Sequence, residues 1–177
     1  MAGWRSRDPV EIDPDADPES VARLIALQML ETSPRTRAEL AAALARRGVP
    51  DDAAATVLDR FTDVGLVDDE AFAAAWVDSR HRGRGLARRA LSAELRRKGV
   101  DQETAATALE RISTDDEADA ARTLVRRRAA TMQSLPLEVR TRRLVSMLAR
   151  KGFGAGLAYR VVREVCTELP GDLEAST

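Results

Sequence analysis

The sequence has few aromatic residues, one cysteine, one histidine and no long apolar run. Aromatic residues make up 3% of the 177 positions, although hydrophobic residues make up 44%. Strands favour aromatic and β-branched residues, so an apolar fraction rich in Ala, Leu and Val predicts closely packed helices. The single cysteine, Cys166, excludes an internal disulfide and favours a reducing compartment. Because about 18 consecutive apolar residues would be needed to span a membrane, we expect a cytoplasmic protein.

Patterns typical of catalytic and metal sites are also missing. His81 lies among arginines, so we expect a solvated or partner-contacting side chain in a loop, with no second histidine to share a metal. Cys166 follows three valines at helical spacing and is expected to be a small buried group. The run G-F-G-A-G at 152–156 follows no strand, so we interpret it as a helix cap and turn. We therefore expect no enzyme, no cofactor and no metal.

One short phrase occurs three times in the chain. A glycine just after a basic pair predicts a helix C-terminus, and apolar residues at spacings of 3, 4 and 7 predict a further helix after it. A repeat of this length leaves room for a third helix in front. The glycines of the three phrases, Gly48, Gly99 and Gly152, are 51 and 53 residues apart. Recurrence with a period of this length predicts an all-α array of three tandem three-helix repeats, with nine helices. The phrase reads L-A-R-R-G-V at 44–49, L-R-R-K-G-V at 95–100 and L-A-R-K-G-F at 148–153.

The repeats and their flanks give predicted boundaries. Acidic residues and prolines at the N-terminus predict a disordered tail. The predicted segments are an acidic tail at 1–19, three-helix repeats at 20–66, 67–113 and 114–169, and a flexible C-terminal tail at 170–177.

Local signals predict where the helices begin and end. Ser20 is expected to cap the first helix, with Leu24, Leu27 and either Met29 or Leu30 facing inward. Thr36 with Glu39 predicts a capping box for the second helix. In the second repeat, Phe72, Ala75, Trp76 and Ser79 are expected to share one face. Further signals are Pro50 and Asp51 for the third helix, Asp68 for the fourth, Gly83 and Gly85 as its end, Asp101 for the sixth helix, Thr114 for the seventh and Pro136 for the eighth.

Charge is distributed unevenly, although the formal net charge is −1 and the pI is near 6.0. A simple nucleic-acid-binding domain usually has a pI above about 9. Residues 79–98 contain eight basic residues and one acidic residue, and residues 140–151 contain five basic residues and no acidic one. The acidic segments 51–70 and 101–119 alternate with them. Two explanations fit the basic second helices. The basic and acidic faces either solvate the array or pair between neighbouring modules, or the basic faces form a surface for a polyanion or an acidic protein.

The second explanation identifies a candidate partner-binding set. On the helix that contains Leu91 and Leu95, Arg89 and Arg96 point away from the apolar face, so they serve solvent or a partner. The full candidate set for contacts with a protein partner or with DNA phosphate is Arg80, Arg82, Arg84, Arg88, Arg89, Arg96, Arg97, Lys98, Arg126, Arg127, Arg128, Arg142, Arg143, Arg150 and Lys151.

The central block resembles the RecX family of bacterial recombinase regulators. It reads D-D-E-A-F-A at 68–73, then Trp76 and Arg80, then G-R-G-L-A-R-R-A-L-S-A-E-L-R-R-K-G-V at 83–100. The family pattern has an acidic opening, Phe-Ala, a later Arg, and Glu-Leu then Lys-Gly closing the second helix. The ending L-A-R-K-G-F is similar to the third-repeat motif, and the resemblance extends over 21–169.

The resemblance implies three tandem three-helix modules in an elongated, curved molecule. It also implies a regulator that binds the RecA filament along its groove and inhibits ATPase, strand-exchange and co-protease activity, in recombination, DNA repair and the SOS response. Because none of the apolar stripes demands a dimer face, we expect a monomer. DNA binding is attributed to the family as well. Two other functions stay open from the residues alone: a stand-alone, sequence-independent DNA-binding module, and a helical scaffold for another acidic partner.

Overall fold

The computed structural model describes residues 17–168, so most of the predicted N-terminal tail and all of the predicted C-terminal tail lie outside the described part. Within it, the chain is all-α, as predicted, with nine α-helices, one short 3₁₀ helix and no strand. The helices are α1 (Pro18–Thr32), α2 (Arg37–Arg46), α3 (Asp51–Asp63), α4 (Asp69–Arg84), α5 (Arg88–Arg97), α6 (Gln102–Leu109), α7 (Thr114–Ala129), α8 (Leu137–Arg150) and α9 (Ala155–Glu168), with the 3₁₀ helix at Ala130–Met132.

The chain forms two compact units, the first ending at Asp68 and the second beginning at Asp69. The first unit contains α1 to α3 around one apolar core that includes Ile25, Leu40 and Leu58. The second unit contains two such cores, one formed by α4 to α6 and one centred on α7 to α9. Each core is built mainly by three consecutive helices, which agrees with the repeat. The predicted limits of the repeats and tails stay predictions.

The repeated phrase forms the same helix end in all three modules. The amide of the residue after each glycine donates to the carbonyl of the leucine five residues earlier, at 3.1 to 3.2 Å. The glycines have φ values of 76°, 78° and 90°, in the left-handed region that side chains disfavour. This is the Schellman arrangement, which satisfies carbonyls that the helix leaves unpaired. The bonds are Val49 to Leu44, Val100 to Leu95 and Phe153 to Leu148.

Side-chain caps begin α1, α2, α6 and α7, and two of these caps differ from the prediction. The Thr36–Glu39 capping box and the Asp101 cap are present as predicted. However, α1 begins at Pro18 because Asp17, not Ser20, accepts the capping bond. Likewise Ser113, one residue before Thr114, caps α7 and forms a capping box with Asp116. The prediction was wrong where two capping residues lay close together in the sequence.

Two buried faces also differ from the prediction. Leu24 and Leu27 are 47% and 38% exposed, while Ile25 and two alanines of α1 are buried. Small alanines let α1 approach its neighbours closely, so the inward direction is rotated by about one residue. On α4 the residue beside Phe72 in the core is Ala73, and Ala75 is exposed.

The end of α4 also differs from the prediction. The helix continues past Gly83 to Arg84, and Gly85, with φ of 59°, follows it. His81 therefore lies in the helix and not in a loop. Its Nδ1 is 2.9 Å from the carbonyl oxygen of Leu86, so a backbone contact holds this half-buried ring.

The second and third modules pack closely inside the second unit. The amide of Ala87 donates to the carbonyl oxygen of Lys151 at 3.0 Å. The amide of Arg88 donates to Oε1 of Glu117 on α7 at 2.8 Å. A Cβ at Gly152 would lie 2.6 Å from the Ala90 nitrogen, so only glycine allows the α8–α9 turn to approach α5 this closely. The first turn of α5 is therefore fitted against the third module.

A candidate surface of exposed arginines

The candidate surface begins on α5, the second helix of the second module. Leu91 and Leu95 are 0% exposed and set the inward direction of this helix. Arg89 and Arg96 are exposed. They are seven residues apart, which places their Cα atoms about 10 Å apart along one face. The helix thus presents two cations to solvent, one above the other.

A similar arrangement occurs on α8, the second helix of the third module. Leu144 and Leu148 are 0% exposed. Arg143 and Arg150 are exposed and again seven residues apart. Arg142, the position that matches Arg89 in the repeat, is exposed as well. By contrast, Arg140 is only 5% exposed and belongs to the interior side of the helix.

The junction between the modules brings the two basic segments together. The carbonyl of Lys151, at the end of α8, accepts the amide of Ala87, at the start of α5. The Lys151 ammonium also donates to the carbonyl oxygen of Arg84. Residues that lie more than 60 positions apart in the sequence therefore meet in one basic region of the second unit.

Several cations of the candidate set already have acidic partners. These pairs are Arg80 with Glu94 at 3.8 Å, Arg82 with Asp78 at 3.5 Å, Arg88 with Glu117 at 3.5 Å and Arg126 with Glu168 at 3.1 Å. Partly exposed pairs of this kind contribute little to stability. They nevertheless lower the net charge that these four arginines present to another molecule.

A cluster around Trp76 was not predicted from the sequence. The Trp76 ring stacks on Phe72 at 5.6 Å, with the Arg80 guanidinium 4.1 Å and the Lys98 ammonium 4.3 Å from its centroid. The indole Nε1 donates to Oε2 of Glu94 at 2.8 Å. Cation–π contacts therefore hold Arg80 and Lys98 against the protein. The spacing of four between Trp76 and Arg80 could have indicated the first of these contacts.

The remaining candidate cations point to solvent. All of them are exposed, and none has an ion pair or a side-chain hydrogen bond within residues 17–168. They can therefore bind an anionic group without first breaking an internal contact. These residues are Arg84, Arg89, Arg96, Arg97, Arg127, Arg128, Arg142, Arg143 and Arg150.

Other kinds of site have little support in the part of the chain that the structure describes. Residues 17–168 contain no group of three or more His, Cys, Asp or Glu side chains that could hold a metal ion. Cys166 is 4% exposed, which confirms its predicted burial. None of the described helices is both long and apolar enough to cross a membrane.

Comparisons with known proteins agree with this architecture. Models of the first, second and third three-helix domains of RecX match residues 22–61, 68–109 and 115–162. A protein named "Regulatory protein RecX" from Thermobifida fusca is 59% identical over 143 residues, covering 81% of this chain and 77% of the relative. One of the same name from Streptomyces coelicolor is 49% identical over 162 residues, covering 92% and 86%.

Solved structures have the same fold. The crystal structure of RecX from Lactobacillus salivarius has a TM-score of 0.77 at 20% identity, covering 85% of this chain and 98% of that one. A second crystal structure, of regulatory protein RecX, has a TM-score of 0.74 at 22% identity, covering 90% and 82%. At these identities the structures support the fold, whereas the sequence relatives and the three domain matches identify the family. The chain therefore belongs to the RecX family of regulatory proteins.

Proposed function

We propose that this chain is a non-enzymatic regulator that binds the RecA–DNA filament along its groove and inhibits the ATPase, strand-exchange and co-protease activities of RecA. The observation that carries the proposal is the meeting of the two basic segments where α5 contacts the end of α8. A basic region built from two modules suits a partner with a repeating, acidic or phosphate-bearing surface. Several weak contacts on linked modules gain from effective concentration.

The exposed cations that lack internal partners are the residues expected to contact the filament. Arg89 and Arg96 on α5 are the sharpest candidates, because both are exposed and neither has a partner within residues 17–168. Arg80 and Lys98, by contrast, lie on the Trp76 ring. We expect these two to shape the basic surface and contribute less to binding.

The test measures ATP hydrolysis by RecA on single-stranded DNA while this protein is titrated well below one copy per RecA protomer. The variant is Arg89→Glu with Arg96→Glu, and the matched control is Arg23→Glu with Arg46→Glu. The control reverses the charge at two exposed arginines of the first unit, both of which lie outside the candidate set. Inhibition should be lost in the first variant, retained in the control, and accompanied by unchanged helicity in both.

Binding to DNA alone is measured at the same salt concentration, because phosphate contacts weaken steeply as salt rises. Inhibition at low ratios without tight DNA binding supports the filament as target. Absence of inhibition together with strong, salt-dependent DNA binding would replace the proposal with a stand-alone DNA-binding module. Equal inhibition by the α5 variant and the wild type would reject the role of Arg89 and Arg96.

A further inference from the structure

The third module has an open groove between α8 and α9. It has a volume of about 720 Å³ and is lined by Leu137 and Thr141 of α8, and by Tyr159, Arg160, Arg163, Cys166 and Thr167 of α9. Tyr159 is 61% exposed and Leu137 is 46% exposed, although both are large apolar side chains. The lining that residues 17–168 provide is mostly apolar, and its charged residues are two arginines.

At the corresponding place in the first module, an ion pair bridges the second and third helices. When the repeats are aligned on their glycines, Thr141 and Arg163 occupy the positions of Arg37 and Asp59. The Arg37 Nη2 lies 2.8 Å from Oδ1 of Asp59, which joins α2 to α3. The Arg37 Nη1 also lies 3.5 Å from Oγ1 of Thr62.

The third module therefore has an arginine where the first module has an aspartate. Thr141, on the facing helix, cannot form an ion pair, and Glu138, the acidic residue of α8, makes no ion pair within residues 17–168. Arg160 and Arg163 are exposed, and their side chains have no ion pair or hydrogen bond within residues 17–168. The carboxylate that the first module supplies from its own third helix would here come from another molecule.

We infer that this groove binds a short acidic segment of the RecA protein that carries apolar side chains. The inference rests on the proposed function and adds a second contact site to the arginines of α5. Carboxylates of the segment pair with Arg160 and Arg163, and an apolar side chain packs between Leu137 and Tyr159. The groove extends along α9 from Tyr159 to Thr167, about 12 Å, which is the length of roughly two helical turns.

The chemistry of the lining favours a protein segment over nucleic acid. An exposed leucine next to a tyrosine offers area for aliphatic side chains, which a phosphate backbone lacks. Charged groups at an apolar contact add orientation and specificity. Stacking of a base on Tyr159 is the competing occupant, and the experiment below separates the two.

The test replaces Tyr159 with the photo-cross-linker p-benzoylphenylalanine in the full chain and illuminates it with RecA filaments on single-stranded DNA. Cross-linked peptides are identified by mass spectrometry. The expected result is a cross-link to an acidic segment of RecA. Cross-linking should be suppressed by Thr141→Arg with Arg163→Asp, which copies the ion pair of the first module and closes the groove.

Two further variants keep the result interpretable. Tyr159→Ala removes an exposed ring without disturbing the core, and it should raise the concentration needed for half-inhibition of the RecA ATPase roughly five- to tenfold. The matched control, Thr32→Arg with Arg23→Asp, makes the same exchanges on α1, where both residues are exposed, and should leave inhibition unchanged.

The outcomes separate this inference from the proposed function. If the wild type does not inhibit RecA, the proposed function fails. If the wild type inhibits and both groove variants inhibit equally well, the groove is not a RecA site and the proposed function stands. A cross-link to DNA, or to the protein's own chain, also overturns the inference.

Discussion

Substitution of Gly152 by alanine tests whether the second and third modules are fitted together as the contacts indicate. Gly152 has a φ of 90°, and a Cβ there would lie 2.6 Å from the nitrogen and 2.7 Å from the Cβ of Ala90. Gly48 is its equivalent in the first module. It has a φ of 76°, and a Cβ there would meet nothing within 4 Å. Comparing the two alanine substitutions therefore separates the cost of backbone strain, which both share, from the cost of steric overlap, which only Gly152→Ala has.

The two costs can be estimated independently. A left-handed backbone conformation costs a residue with a side chain about 1–2 kcal/mol, and this applies to both glycines. Overpacking adds about 1–3 kcal/mol at Gly152 only, because the main chain of α5 must move. We therefore expect Gly48→Ala to reduce the free energy of unfolding by about 1–2 kcal/mol and Gly152→Ala by about 2–5 kcal/mol.

Hydrogen exchange measured residue by residue is the suitable assay, since the two units need not unfold together. In Gly152→Ala, the Ala87 amide, which donates to Lys151, should lose protection first. Amides of the first unit should be unaffected. Equal destabilisation by the two substitutions would refute the reasoning, because it would mean that the α8–α9 turn moves away from α5 at no cost.

Two further predictions concern the helices themselves. Leu44→Ala should reduce the free energy of unfolding by about 2–5 kcal/mol because Leu44 is 0% exposed, whereas Leu24→Ala, at a 47% exposed position, should change it by less than about 0.5 kcal/mol in urea titrations. A larger loss of stability from Leu24→Ala than from Leu44→Ala would contradict the burial of these two side chains. Hydrogen bonds from Ser20, Thr104 and Ser113 lower the pKa values of Asp17, Asp101 and Asp116 below 3.8. The stability that these three carboxylates contribute is therefore present above pH 3.8 and is lost as the pH falls through their lower folded-state pKa values. Circular dichroism should detect this loss as acid unfolding. The pH dependence should be weaker in a variant that has Asn at all three positions.

Helix ends were largely predictable because their signals are local. A basic pair followed by glycine gave the ends of α2, α5 and α8, and the Thr36–Glu39 box gave the start of α2. The inward face of α1 was not predictable in the same way. Its leucines are more apolar than the neighbouring alanines, but close approach of the neighbouring helices selected the smaller residues.

The contacts of the arginines required three-dimensional information. Arg80 pairs with a residue on the next helix, and Arg126 pairs with Glu168, 42 positions later in the chain. Charge counts cannot distinguish these paired cations from exposed ones such as Arg89. The α8–α9 groove could have been noticed by comparing the charged positions of the repeats, because the exchange of Asp59 for Arg163 is visible once the glycines are aligned.

The contacts of Ala87 limit where the chain can be truncated without disturbing the third module. It precedes α5 in the sequence, yet its fully buried methyl group belongs to the core around Leu144 and Leu148. A fragment starting at residue 114 would lack that methyl group and would leave the Lys151 carbonyl without its donor. A fragment starting at Asp69 keeps both. A truncation that keeps the second and third modules together therefore preserves these contacts, whereas one that separates them removes both.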